Sequence, residues 1–77
     1  MDVFEKLKEI IVEKLKVAPE KVKLESDFKT DFQADSIDLF ELVMTMEDSF
    51  GVELDDDAVV QIKTVGDAVT FLKAKME

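Results

Sequence analysis

The chain has 77 residues with no cysteine, histidine, tryptophan or tyrosine, and every cation is lysine, ten against nineteen acids, for a net charge of −9. Disulfides, thiolate or imidazole metal centres, Ser/His/Asp and Cys/His nucleophiles and guanidinium clamps for phosphate are thereby excluded. A surface this acidic also repels nucleic acids and anionic membranes, which leaves basic proteins and cations as partners.

Residues 1–77 are too few for more than one small domain, and its core, drawn from a composition 47% hydrophobic, must hold the fold without covalent or metal support. No apolar run approaches a membrane span, and no leader of basic plus apolar type opens the chain, so a cytoplasmic monomer is expected.

Over residues 2–16, Val3, Phe4, Leu7, Ile10, Ile11 and Leu15 recur at helical spacing while Glu5, Lys6, Lys8, Glu9, Glu13 and Lys14 fill the other face. This predicts an amphipathic helix, opened by an Asp2/Glu5 capping box and ended by the step to Pro19. Residues 17–34 form a long connection. Val22, Leu24, Phe28 and Phe32 are spaced through it as anchors to the core, and Pro19 suits the start of a short turn.

A second helix is predicted to begin at Asp35 or Ser36 and to end near Phe50, because Gly51 suits the left-handed position after a helix. At 100° per residue, Leu39, Leu42, Val43, Met46 and Phe50 face the core. Ile37, Phe40 and Met44 fall outside it among Glu41, Glu47 and Asp48, the mixture of apolar and acidic groups that a docking face presents. The triplet Asp55, Asp56, Asp57 leads into a short third helix through Ala58, Val59, Val60 and Ile62, with acids at its positive end. Thr64 and Asp67 cap a last helix reaching Met76, with Val65, Ala68, Val69, Leu72 and Met76 as its buried stripe. The predicted fold class is all-α, a four-helix bundle of three longer helices and one short third helix, with a long first loop.

The charge is segregated. Residues 30–62 hold ten acids and no lysine, whereas the rest of the chain holds nine acids and ten lysines, so the whole net negative charge lies in this middle segment. A solvated surface accounts for acidity in general, but segregation favours docking to basic partners. No EF-hand spacing occurs, so no inner-sphere metal site is expected and loose outer-sphere Ca²⁺ or Mg²⁺ is the most the acids offer. A chain of this size has little room for a glycosidase cleft between paired carboxylates. No catalytic residue is expected.

Within the acidic segment, Asp31, Ala34, Asp35, Ser36, Ile37, Asp38, Glu41, Leu42 and Val43 spell DxxADSIDxxELV. This resembles the phosphopantetheine attachment motif of acyl carrier proteins, and with the KTVGD stretch before the last helix the resemblance spans the chain. Serine among aspartates is a poor nucleophile, which suits what the resemblance implies. Ser36 would be a tether to which a separate phosphopantetheinyl transferase, the holo-carrier synthase, attaches 4′-phosphopantetheine from coenzyme A with Mg²⁺. The arm's thiol would then carry acyl groups as thioesters between enzymes of fatty acid biosynthesis.

The resemblance further implies docking of basic patches on those enzymes by Asp35, Ile37, Asp38, Glu41, Met44, Glu47 and Asp48. It also implies an acyl cavity beside the second helix, with Val43, Met46, Ala58, Val59, Ile62 and Ala68 as candidate liners. Helix capping alone accounts for Asp35 and Ser36, and capping and tethering are compatible at one site. Phe32 and Gln33 stand where the family usually has leucine and glycine, and Ile37 where leucine is commoner. Gln33 is at odds with a left-handed turn, and these departures imply altered partner preference. A carrier for polyketide or D-alanyl groups, and an acidic helical interaction module that carries nothing, are the alternatives.

Overall fold

The computed structural model describes residues 2–76. Four α-helices form in the expected order: α1 (Val3–Leu15), α2 (Ser36–Phe50), α3 (Asp56–Gln61) and α4 (Val65–Met76). Asp2 caps α1 by accepting the Glu5 amide at 3.3 Å. The helix ends at Lys16, which takes the left-handed conformation (φ 57°) three residues before Pro19. Val3, Leu7, Ile10 and Ile11 are buried, with Phe4 and Leu15 half-buried at the margins of the same stripe.

α1 packs against α2 and α4. Leu7, Ile11, Leu42, Met46, Val65 and Leu72 fill the core and are excluded from solvent, each contributing about 1.5–3 kcal/mol by burial. At the far end of α2, the Lys6 ammonium donates to the Ser49 carbonyl at 2.8 Å and sits 5.1 Å from the Phe50 ring centroid. Phe50, expected to face the core, is half-buried under this contact.

The long connection is folded back on α4. Pro19 opens a 3₁₀ turn (Pro19–Lys21), and Val22, Phe28 and Phe32 are buried as the anchor pattern predicted. Phe28 and Phe32 meet edge to face at 5.8 Å between centroids. Leu24 departs from that pattern, with 51% of its surface exposed. Its backbone anchors the loop instead, since Gly66 N–H donates to the Leu24 carbonyl at 2.8 Å. A Cβ on Gly66 would stand 3.0 Å from that oxygen, so the missing side chain is what permits the approach. Ser26, buried, cross-links the loop by donating to the Lys21 carbonyl (2.7 Å) and accepting from the Lys23 amide (2.9 Å).

Further along, Val65 N–H donates to Ser26 O and Phe28 N–H to Lys63 O, both at 3.0 Å, and Asp27 bridges Thr64 in antiparallel fashion. The loop therefore lies against the start of α4 and delivers the chain to the start of α2. α4 opens on the predicted pair, with Asp67 N–H donating to Thr64 Oγ1 (3.1 Å) and Thr64 N–H to Asp67 Oδ2 (3.2 Å). Val65, Ala68, Val69 and Leu72 are buried, but Met76 is 40% exposed, because the stripe runs out of core to cover at the last turn.

Candidate functional site

Ser36 is the first residue of α2 and is exposed. Asp35 caps the helix with a full reciprocal box: Asp38 N–H donates to Asp35 Oδ1 at 2.9 Å and Asp35 N–H to Asp38 Oδ2 at 3.4 Å. The arrangement fixes the helix start at the serine. Helix geometry leaves the amides of the first residues without intrahelical acceptors, so the hydroxyl stands at the positive end of a helix of fifteen residues.

The approach to Ser36 includes a strained residue. Gln33 has φ 56°, the left-handed conformation that its amide side chain had put in doubt. The turn is retained without glycine because neighbours on both sides are tied down: Ala34 N–H donates to the Phe28 carbonyl at 2.9 Å, and Phe32 is buried. Asp31, the first acid of the motif, accepts from the Asp27 amide at 2.6 Å. Asp27 Oδ1 in turn accepts from the amides of Lys29 (2.8 Å) and Thr30 (3.0 Å), and those two backbone bonds, Thr30 first, hold its carboxyl below the usual carboxylate range.

Ser36 borders a cleft of about 350 Å³ between the loop, α2 and α3, lined by Phe28, Leu39, Phe40, Val59, Val60 and Ile62, with Asp27, Lys29, Thr30 and Lys63 toward its polar side. Of the six residues proposed to line a cavity, Val59 and Ile62 border this cleft. Val43, Met46, Ala58 and Ala68 do not, and lie buried in the core. Phe28, Leu39, Phe40 and Val60 complete its apolar lining. Val60, 76% exposed, and Phe40, 49% exposed, are apolar side chains that a helical wheel places outside the bundle, which was the signal available for them.

On the outer face of α2, Asp35, Ile37, Asp38, Glu41, Met44 and Asp48 are all exposed, Ile37 to 69% and Met44 to 62%. Glu47 differs. It is half-buried, and its Oε2 accepts the Leu54 amide at 2.7 Å, so this carboxylate ties down the segment after Gly51, whose φ of 67° ends the helix. Asp55 likewise caps α3 through the Ala58 amide at 2.8 Å. Among the described residues no three carboxylates converge as a metal site requires, and no helix is long and apolar enough to cross a membrane.

The family model for a phosphopantetheine attachment site matches residues 5–72. An acyl carrier protein of Sulfurovum sp. (strain NBC37-1) is 47% identical over 73 residues, which cover 95% of this chain and 97% of that protein. The chain belongs to the acyl carrier protein family. It is a carrier and not an enzyme, and its prosthetic group is 4′-phosphopantetheine. The site suits such a group: an acyl carrier protein must offer a hydroxyl free of the core, and space beside it for a chain with both amide and hydrocarbon character. The exposed serine and the cleft with one polar and one apolar side meet both needs.

Proposed function

We propose that this acyl carrier protein carries growing acyl chains as thioesters on a 4′-phosphopantetheine arm attached to Ser36, in fatty acid biosynthesis in the cytoplasm, as a monomer of one domain. The observation that carries the reading is the position of Ser36, exposed at the start of α2 and at the rim of an apolar cleft. Loading forms a bond between Ser36 Oγ and the phosphorus of coenzyme A, expels 3′,5′-ADP and releases the hydroxyl proton. The Asp35 and Asp38 carboxylates that flank the serine are engaged in capping, and the chain has no histidine, so the motif offers no ready base. A phosphopantetheinyl transferase with Mg²⁺ must supply that chemistry.

Hydrocarbon cargo is favoured over polyketide or D-alanyl cargo by the lining of the cleft. Phe28, Leu39, Phe40, Val59, Val60 and Ile62 offer no side-chain hydrogen-bonding group. Against that apolar wall a repeatedly oxygenated chain or an ammonium would lose solvation, whereas a hydrocarbon chain would gain by burial. The exposed acids Asp35, Asp38, Glu41 and Asp48, with Ile37 and Met44 between them, would meet basic patches on the transferase and the synthetic enzymes. Contacts of this kind steer encounter while leaving release fast, as a carrier serving successive enzymes requires.

Incubation of the wild type and Ser36→Ala with coenzyme A, Mg²⁺ and a transferase, read by intact-mass spectrometry, tests the assignment. The wild type gains one phosphopantetheine and Ser36→Ala gains none. A wild type unmodified by several competent transferases would return the chain to the reading of an acidic interaction module.

A further inference from the structure

Lys29 and Lys63 stand immediately before and after the lysine-free segment. Far apart in sequence, they are brought together by the backbone pairing of the loop with the start of α4, where Phe28 N–H donates to the Lys63 carbonyl at 3.0 Å and Asp27 bridges Thr64. Both line the cleft that Ser36 borders, and both are exposed. Asp27 is the only carboxylate among the lining residues, and its Oδ1 is occupied by the backbone amides of Lys29 and Thr30. The cleft thus has two cations against one anion in a molecule of net charge −9. Lysines on an acidic protein ordinarily serve solubility alone. This pair is set apart by its convergence beside the serine, with none of the other cations in the lining.

A phosphodiester is a permanent anion. On Ser36 it would meet the positive end of α2, but the carboxylates of Asp35 and Asp38 are bound to that same helix start and oppose it. Any compensating side-chain charge therefore comes from another part of the chain. We propose that Lys29 and Lys63 form a cationic rim that receives the phosphodiester joining the arm to Ser36, so that the root of the arm is held over the cleft. Ammonium groups on flexible stems suit this role, acting as point charges without requiring a bidentate geometry. The inference rests on the reading of Ser36 as the attachment residue.

The test compares apo and fully loaded forms of the wild type, Lys29→Gln/Lys63→Gln and the charge-matched control Lys73→Gln/Lys75→Gln, whose lysines are on the last turn of α4, away from the cleft. Mass spectrometry establishes loading, and melting temperature is measured in ~10 mM and ~1 M NaCl, where charges act over roughly 30 Å and 3 Å respectively. At low salt, loading leaves the wild type and the control unchanged or stabilised. In Lys29→Gln/Lys63→Gln it lowers the melting temperature by about 2–5 °C, the size expected of exposed ion pairs in a domain this small, and high salt removes the difference.

The ³¹P resonance of the loaded wild type provides a second readout that needs no variant to fold. It shifts with added salt if the ammonium groups contact the phosphate. Equal melting changes in all three proteins, or a ³¹P resonance of the loaded wild type that does not move with added salt, overturns the rim while leaving Ser36 as the tether. Absence of loading at Ser36 overturns both.

Discussion

Gln33 is the residue at which local preference and tertiary demand conflict. Its φ of 56° costs about 1–2 kcal/mol for a residue with a side chain, and the bonds and burial of its neighbours hold it there. Gln33→Gly should relieve that strain but increase the freedom of the unfolded chain, which offsets about 0.4–1 kcal/mol. The net gain is about 0.5–1 kcal/mol, seen as a rise of roughly 2–8 °C in melting temperature. An unchanged or lowered value would mean that the glutamine side chain makes a stabilising contact of its own. Ser36 presents no such conflict, since capping by Asp35 and exposure of the hydroxyl are satisfied by one backbone geometry.

Along α2, charge alone does not distinguish acids with different tasks. Glu41 is exposed, whereas Glu47 is half-buried and accepts the Leu54 amide. Glu47→Ala should therefore cost about 1–2 kcal/mol in urea denaturation, while Glu41→Ala should stay within about 0.5 kcal/mol of wild type. The kinetic pattern should be reversed in emphasis: Glu41→Gln should slow phosphopantetheine loading more at low salt than at high, because a steering charge is screened by ions. A loading rate for Glu41→Gln that differs from wild type equally at both salts would remove the steering role. Sequence placed both glutamates on one acidic face. The contact that separates them spans seven residues through a turn made by Gly51, and no helical wheel contains it.

The molecule as a whole is 29 × 26 × 19 Å and has a net charge of −9. At ~10 mM salt the Debye length of about 30 Å spans all of it, so every acid repels every other; at ~150 mM, about 8 Å leaves only near neighbours interacting. Adding NaCl over that range should raise the melting temperature by about 4–8 °C, which corresponds to roughly 1 kcal/mol of relieved repulsion in a domain of this size. A melting temperature independent of salt would show that the acids are already compensated within the fold. Because the repulsion comes chiefly from residues 30–62, variants that neutralise acids there should lose this salt dependence first.

Helix existence, helix limits and most of the core were legible in the residues, because caps, glycine stops and 3.6-residue periodicity are local rules that act within a turn or two. The attachment motif was legible for the same reason, lying within one continuous stretch around Ser36. The exposure of Leu24 and Met76 was not, since periodicity records which face is apolar and not how far the partner surface extends. The cleft also required the folded chain: its walls come from the loop, α2 and α3, so the helix face that suggested Val43 and Met46 led into the core, while Phe28, Lys29 and Lys63, which do line the cleft, left no local signal. Long-range backbone pairing between the loop and the start of α4 brings those residues to Ser36, and separations of that length leave no periodic trace in sequence.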